Sequence, residues 1–270
     1  MLIDFHTHIF PDSIAARTVA TLADSSSIPS HSDGTQAGLV AAMERAGVAL
    51  SINLPVLTSP RQLSGVRRFA LTLNEAYRAG TGRILSFAGV HPACEDIEET
   101  VAALAADGFL GIKIHPDYQG TYIDDEAYVR LLSCAKAHGL ITVTHAGVDG
   151  GFVGCPVRCT PTRVLRLLDR LGGYDRLVLA HLGGNELHDE VLRTLAGENV
   201  YLDTAYSLHH LSHRQMHALV ERHGADRILF ATDSPWRDVA EEVALLRDFS
   251  LGEDAERRIF SENAKTLIGM

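Results

Sequence analysis

Cysteine is scarce in this chain, with four residues among 270. So few cysteines cannot form the dense disulfide scaffold of a small secreted domain, and the sequence therefore predicts a reduced compartment. Cys94 and Cys134 have the setting of packing residues, whereas the spacing of Cys155 and Cys159 fits a metal pair or a disulfide. No second pair of that kind is present, which argues against a four-cysteine zinc site.

Basic residues are in deficit, and long apolar runs are missing. Lys and Arg number 24 against 34 Asp and Glu, which gives a formal net charge of −10. This balance disfavours attraction to phosphate backbones, so nucleic acid is not an expected partner. The opening MLIDFHTHIF lacks the basic start and apolar stretch of a secretion signal, and no later stretch has the apolar length of a membrane span. We expect a cytoplasmic protein with no membrane partner.

Hydrophobic residues, in contrast, make up 46% of the chain. They fall in short β-rich runs that alternate with stretches of helical periodicity, and such alternation predicts parallel strands. Eight strand–helix units without a linker favour closure into a (β/α)8 TIM barrel, so we expect residues 1–270 to form one α/β domain. The candidate strands are Leu2–Phe5, Leu50–Leu54, Ile84–Val90, Gly111–Ile114, Ile141–Thr144, Leu177–Ala180, Val200–Leu202 and Ile228–Ala231. The candidate helices are Gly34–Gly47, Leu63–Ala79, Thr100–Ala106, Tyr128–His138, Thr162–Leu171, Arg214–His223 and the segment from Val239 onward.

The longest stretch that looks irregular is Asp12–Gln36, which follows the first candidate strand. It mixes serines with Pro29 and Gly34 around room for one short helix. Long irregular loops are often functional. Two interpretations stay open, a lid over the site and a mobile surface loop that does not contact substrate.

Two histidines stand two positions apart on the first candidate strand. Alternate side chains of a strand project from the same face, so the imidazoles of His6 and His8 point together, with Asp4 deeper on that face. A lone inward histidine is usually a hydrogen-bonded core residue. A pair at the start of a barrel instead favours metal binding, because neutral imidazole is a common zinc ligand.

Ionisable residues recur where other candidate strands end. In a parallel barrel these ends meet on one rim, which carries the active site. A buried polar cluster is costly unless its charges are compensated, and a divalent cation would compensate them while fixing the imidazoles and carboxylates. The pattern therefore predicts a metal-dependent enzyme. The residues are His91 in GVHP, Lys113 and His115 in GIKIHP, His145 in VTHAG, His181 in LAHLGG and Asp233 in FATDSPW.

Five motifs, DFHTH, GIKIHP, THAG, AHLGG and TDSPW, occur in this order along nearly the whole chain. In this order they resemble the amidohydrolase superfamily, especially its amidohydrolase-2 branch. That branch includes aminocarboxymuconate-semialdehyde decarboxylase and related decarboxylases as well as hydrolases of carbonyl compounds. The resemblance therefore implies a site more firmly than it implies a reaction.

The resemblance also implies roles for individual residues. His6 and His8 correspond to the metal ligands of the first strand, His145 to the ligand of the fifth and Asp233 to that of the eighth. His181 matches the sixth-strand histidine, which stands beside the metal-bound water in relatives with one metal and binds the second metal in relatives with two. One zinc ion is expected from this branch.

Lys113 is the residue that separates a one-metal site from a two-metal site. A protonated ammonium close to zinc would be repelled, and its pKa would fall. Carboxylation by carbon dioxide would turn Lys113 into an anion that bridges two metals, as in the superfamily's binuclear members. Alternatively Lys113 stays cationic and pairs with Asp233, Asp4 or a substrate carboxylate, and the resemblance to a one-zinc branch favours this second interpretation.

Residues just beyond the candidate strand ends are candidates for substrate binding, because loops there line the pocket of a barrel enzyme. Arg158 could form a bidentate contact with a carboxylate, although an exposed loop arginine is often only solvated. Trp236 either packs the barrel mouth or touches a ligand, and His115 either contacts substrate or is a hydrogen-bonded rim residue. The candidate set is His91, His115, Tyr118, Arg158, Tyr206 and Trp236.

Three functions fit these residues. The leading one is hydrolysis of a small amide, ester or lactone, in which Asp233 takes a proton from a zinc-bound water, His181 steers that water and Lys113 is a third catalytic candidate. Nonoxidative decarboxylation of a small unsaturated or aromatic carboxylate is the close alternative. A metal-binding barrel without activity is the third, and the presence of both Asp233 and His181 argues against it. The expected partners are a small-molecule substrate and, from the family, a second copy in a homodimer.

Overall fold

The strands form a closed parallel barrel. In the computed structural model, which describes residues 1–270, nine strand segments pair in parallel and in chain order. The first and last strands meet where the Phe5 N–H donates to the Phe230 carbonyl oxygen and the Asp233 N–H donates to that of His6, both at 2.9 Å. The predicted (β/α)8 TIM barrel is confirmed. The segments are β1 (Leu2–Thr7), β2 (Val48–Asn53), β3 (Ile84–Ser86), β4 (Ala88–Gly89), β5 (Gly111–Ile114), β6 (Ile141–Thr144), β7 (Leu177–Leu179), β8 (Tyr201–Asp203) and β9 (Ile228–Leu229).

Segments β3 and β4 are two halves of the third barrel strand, which the sequence predicts as one run. The side chain of Asn74 takes up both backbone polar groups of Ser86, since its Oδ1 accepts from the Ser86 N–H at 2.7 Å and its Nδ2 donates to the Ser86 carbonyl oxygen at 2.9 Å. These bonds fasten the strand to the helix outside it and accompany the break at Phe87.

The helices form the outer layer, and side chains mark several of their starts. The Thr160 hydroxyl accepts from the Arg163 N–H at 3.3 Å, directly before Pro161 in the first turn. None of the helices combines the length and apolar character that crossing a bilayer requires. They are α1 (Asp12–Ser26), α2 (Gln36–Ala46), α3 (Leu63–Arg78), α4 (Ile97–Ala106), α5 (Glu126–Ala137), α6 (Pro161–Leu171), α7 (His188–Thr194), α8 (His213–His223), α9 (Val239–Asp248), α10 (Glu253–Arg257) and α11 (Asn263–Ile268).

Helix α1 corrects the expectation of an irregular stretch over residues 12–36. More than half of that stretch is helical, because Ala15 and Val19 lie one turn apart and are buried against the barrel. The last turn of α1 contains serines, which are weak helix formers, so the helical spacing of the apolar residues is hard to recognise in the sequence. The helix ends at Ser27 in the left-handed region, with φ 58°, beside the turn Gly150–Phe152.

The barrel strands are buried on both faces, as parallel strands covered by helices should be. Ile52, Ile112, Val143 and Leu229 are all fully buried. The buried ionisable side chains lie at and just beyond the carboxyl ends of the strands, and that end of the barrel holds the site.

Candidate metal centre

Three predicted ligands bring their donor atoms together at the carboxyl end of the barrel. His6 lies on β1, His8 follows it, and Asp233 lies beyond β9. The two Nε2 atoms are 3.2 Å apart, and Asp233 Oδ1 lies 3.1 Å from His8 Nε2 and 3.4 Å from His6 Nε2. Ligands of one zinc or magnesium-sized ion are about 3–3.6 Å apart in tetrahedral or octahedral sites. We call His6, His8 and Asp233 the donor trio, and its spacing fits one divalent cation.

The Nδ1 atoms of His6 and His8 are hydrogen-bonded, and these bonds orient the Nε2 atoms towards the centre of the trio. His6 Nδ1 lies 2.9 Å from Asp203 Oδ2, and His8 Nδ1 lies 2.8 Å from the Leu54 carbonyl oxygen. Both partners only accept, so both Nδ1 atoms carry the proton and both Nε2 atoms present a lone pair. Burial, followed by the nearby Lys113, holds the pKa of His6 well below its usual range, so the ring is neutral. Unprotonated nitrogens facing a carboxylate require a positive species between them.

Asp233 is a carboxylate at neutral pH. Burial raises the pKa of its carboxyl, but the contact with His8 and the nearby Lys113 ammonium outweigh burial and leave the pKa below the ordinary value. Its side chain is 12% exposed and that of His8 is 14% exposed, against 1% for His6. The trio is therefore open to solvent on the side of His8 and Asp233.

Lys113 places its ammonium beside the trio. Nζ lies 3.0 Å from His6 Nε2, and the residue is 1% exposed. Burial lowers its pKa, although Asp203 and Asp233 act in the opposite direction. The alternative of a direct pair with Asp233 or Asp4 is not seen, because no carboxylate oxygen lies within 4.0 Å of Nζ and Asp4 is bound to Thr232 instead.

His181 follows β7 and faces the same space. Its Nδ1 lies 2.8 Å from the Ala205 carbonyl oxygen, and its Nε2 lies 2.9 Å from His145 Nδ1. The carbonyl requires a proton on His181 Nδ1, so His181 Nε2 accepts from His145. Burial lowers the pKa of His181 to about 4, which keeps the ring neutral.

His145 is not part of the donor trio. It belongs to a second group of ligand-type side chains with His115 and Asp149, which we call the stacked cluster. The His115 and His145 rings are nearly parallel, at 14°, with centroids 4.2 Å apart. His145 Nε2 has no hydrogen-bond partner and lies 4.0 Å from Asp117 Oδ2, which also has none. The structure thus brings three of the four expected ligands together, whereas the fourth, His145, lies outside this group and hydrogen-bonds His181.

The predicted substrate-binding residues divide between two sides of the mouth. Tyr118 contacts the His115 ring edge-on, with centroids 4.7 Å apart, and Arg158 lies against Asp117, Nη1 to Oδ1 3.5 Å. On the other side, the backbone N–H of Trp236 donates to the Asp233 carbonyl oxygen at 2.9 Å. The Tyr206 ring lies against the His209 ring, with centroids 4.9 Å apart.

His91 is turned into its own loop, where its Nδ1 accepts from the Ala93 N–H at 3.1 Å. Three carboxylates of the site escape sequence reasoning. Asp203 ends β8 in the run YLD, and this polar residue at a strand end was a usable signal. Asp117 and Asp149 lie in loops, where an aspartate carries no comparable signal.

Comparison with known proteins identifies related folds. A family model described as amidohydrolase matches residues 3–270. None of the curated proteins matches the chain in sequence. A solved structure described as an amidohydrolase II shares 18% identity, covers both chains completely and superposes with a TM-score of 0.79.

Several of the similar structures are named as decarboxylases. A 5-carboxyvanillate decarboxylase from Novosphingobium aromaticivorans, complexed with manganese and a nitrobenzoic acid, shares 17% identity over 100% of this chain and 96% of that one, with a TM-score of 0.73. A dihydroxybenzoic acid decarboxylase from Polaromonas, with bound manganese and 2-nitroresorcinol, shares 17% identity over 99% and 96%, with a TM-score of 0.72. At sequence identities this low, the structural similarity establishes a shared fold and not a shared activity.

Proposed function

The chain belongs to the amidohydrolase family, and on that premise we propose that it is a metal-dependent decarboxylase of a small aromatic or unsaturated carboxylate. The observation that carries the metal dependence is the donor trio, with its three donor atoms 3.1–3.4 Å apart. The decarboxylases among the similar structures favour this reaction over the hydrolysis that the sequence puts first.

We propose His6, His8 and Asp233 as ligands of one divalent cation, with further positions left for water or substrate. Such a cation supplies Lewis acidity that polarises a substrate oxygen. Three similar structures hold manganese, while zinc is the sequence prediction, and imidazole with carboxylate donors suits either ion. The resemblance implies His145 as a fourth ligand, whereas the hydrogen bond from His145 to His181 supports a role in orienting that ring.

Lys113 is proposed to bind the substrate carboxylate. Its ammonium is buried and has no carboxylate partner within 4.0 Å, so it lacks the charge compensation that a buried cation needs. Lys113 and a cation cannot share the His6 Nε2 lone pair, and in the loaded enzyme Lys113 is therefore free to pair with an anionic substrate. Arg158 has no acidic partner other than Asp117, so we propose it as a further contact of an anionic substrate. The other predicted residues, His91, His115, Tyr118, Tyr206 and Trp236, stay proposed substrate contacts.

The proton steps fall to Asp233 and His181. Asp233, held as a carboxylate, accepts the proton of a substrate hydroxyl and returns it to the ring carbon, and the bond from that carbon to the carboxylate then breaks to release carbon dioxide. The His181 ring faces the same space, with its Nε2 accepting from His145 Nδ1. Hydrolysis stays the second candidate, because the Asp233 carboxylate, ionised at neutral pH, can also take a proton from an attacking water.

The test is a substrate screen with the purified chain, loaded in turn with Mn²⁺ and Zn²⁺. Hydroxylated aromatic carboxylates, unsaturated carboxylates, lactones and esters are supplied, and released carbon dioxide is scored separately from released protons. We expect carbon dioxide from a hydroxylated aromatic or unsaturated carboxylate, and only from metal-loaded protein. Turnover of lactones or esters without carbon dioxide would establish hydrolysis instead, and equal turnover by metal-free protein would refute the metal site.

A further inference from the structure

Asp203 is a fully buried carboxylate at the end of β8, and neither the sequence motifs nor the proposed mechanism uses it. Its two oxygens serve different partners. Oδ2 lies 2.9 Å from His6 Nδ1, while Oδ1 accepts from the backbone N–H groups of His181 and Ala205, both at 3.1 Å. One side chain thus touches two residues of the site.

The contact with His6 decides which nitrogen faces the trio. Imidazole has one proton in its neutral form, and a carboxylate can only accept, so Asp203 draws that proton to Nδ1. The lone pair is then on Nε2, the atom 3.2 Å from His8 Nε2 and 3.4 Å from Asp233 Oδ1. Carboxylates placed behind ligating histidines also raise the basicity of the nitrogen that binds the metal.

The contact with the backbone holds His181 in an unusual conformation. His181 and Leu182 have φ values of 58° and 52°, in the left-handed region that non-glycine residues rarely adopt. Asp203 Oδ1 accepts the N–H of His181 itself, and His181 Nδ1 bonds the carbonyl oxygen of Ala205, whose own N–H is also bound by Oδ1. Asp203 therefore holds the backbone of His181 and that of Ala205, whose carbonyl oxygen orients the His181 ring.

We propose that Asp203 is the positioning residue of the centre, which orients His6 as a metal ligand through one oxygen and His181 through the other. This inference rests on the proposed metal site. An asparagine at this position separates the contact with the backbone from the contact with His6. Its amide oxygen can still accept from the backbone N–H groups, whereas its NH2 group cannot accept from His6 Nδ1. Asp203→Asn should therefore leave the turn in place and release the His6 ring.

Asp4 provides a matched control, deeper on the same face of β1. It is also fully buried, but its carboxylate accepts from the Thr232 hydroxyl at 2.7 Å and from the backbone N–H groups of Thr232 at 3.0 Å and of His6 at 3.3 Å, and it hydrogen-bonds no imidazole ring. The Thr232 hydroxyl can rotate to accept from an amide. Asp4→Asn thus removes a buried carboxylate without changing the bonding of any ring nitrogen in the centre.

The experiment measures Mn²⁺ affinity by chelator competition for wild type, Asp203→Asn and Asp4→Asn, with urea unfolding to check that each variant folds. We expect a loss of about 10–100-fold in Asp203→Asn, the usual effect of removing a carboxylate behind a ligating histidine, and less than about threefold in Asp4→Asn. Unchanged affinity in Asp203→Asn, or equal losses in both variants, would overturn the proposal.

A second measurement needs neither activity nor metal. Nitrogen-15 correlation spectra of the metal-free wild type report which nitrogen of each histidine carries the proton, and His6 should carry it on Nδ1. A proton on Nε2 of His6 overturns the proposal even if Asp203→Asn does not fold. Wild type that takes up neither Mn²⁺ nor Zn²⁺ refutes the proposed function, whereas metal-binding wild type with an insensitive Asp203→Asn refutes only the role of Asp203.

Discussion

Two groups of ligand-type side chains lie side by side at the barrel mouth, and they differ in how their rings are oriented. In the donor trio the His6 and His8 rings meet at 74°, and their Nε2 atoms point at each other and at Asp233. In the stacked cluster the His115 and His145 rings meet at 14°. Both groups have two histidines and one aspartate within ligand distance.

The orientation decides what each group can bind. The lone pair of an imidazole nitrogen lies in the plane of its ring, so two stacked rings cannot both direct a lone pair at one ion. The stacked cluster is instead held by the hydrogen bond of His115 Nε2 to Asp149 Oδ2, at 3.2 Å. Residue type and proximity are thus insufficient for a metal site, and the direction of the lone pairs separates the two groups.

Removing a trio ligand should produce the largest effect. We expect His6→Ala to weaken Mn²⁺ binding by more than about 100-fold, beyond the loss caused by an outer partner, and to abolish activity. The matched change in the other group, His115→Ala, should weaken binding less than about tenfold. Chelator competition measures both, and equal losses would erase the distinction between the groups.

Asp233→Asn separates the role of Asp233 in proton transfer from its role in metal binding. The amide oxygen can still face a cation but the side chain can no longer accept a proton, so some metal should remain while turnover falls at least about 100-fold. Steady-state kinetics at saturating metal measure this loss. Turnover close to that of wild type would remove Asp233 from the proton steps.

His145→Ala tests the boundary between the two groups. Since His145 lies outside the donor trio and hydrogen-bonds His181, we expect metal affinity to fall less than about tenfold and turnover to fall more than affinity. Metal content and turnover are measured on the same preparation. A loss of metal as large as in His6→Ala would instead make His145 the fourth ligand that the family resemblance implies.

The smallest effect should come from Asp149→Asn in the stacked cluster. Burial raises the pKa of Asp149, but its hydrogen bond to His115 more than offsets this, and the net pKa is below the ordinary value. A lowered carboxyl pKa contributes stability above about pH 4, and the contribution is lost as the pH falls through the folded-state pKa. Urea unfolding should show a cost of about 1–2 kcal/mol at pH 7 that shrinks as the pH falls below about 4, with metal affinity unchanged. A cost independent of pH would contradict the ion pair.

The sequence predicts the barrel well because parallel strands buried on both faces read as short apolar runs. It predicts α6 to within a residue, since the apolar residues of this helix, Val164, Leu167, Leu168 and Leu171, repeat with a helical period. It misses α1, whose buried face has few apolar residues, and α7, which has seven residues. Helices of this kind are decided by packing against the barrel more than by local pattern.

By itself, the sequence determined which side chains reach the mouth of the barrel. A period of two along each strand and a shared direction of all strands are enough to bring His6, His8, Lys113, His145, His181 and Asp233 to one rim. Only the tertiary structure decided which of them face one another. Ring orientation depends on partners from distant segments, such as Asp203 behind His6 and His115 against His145, and no local pattern in the chain encodes those contacts.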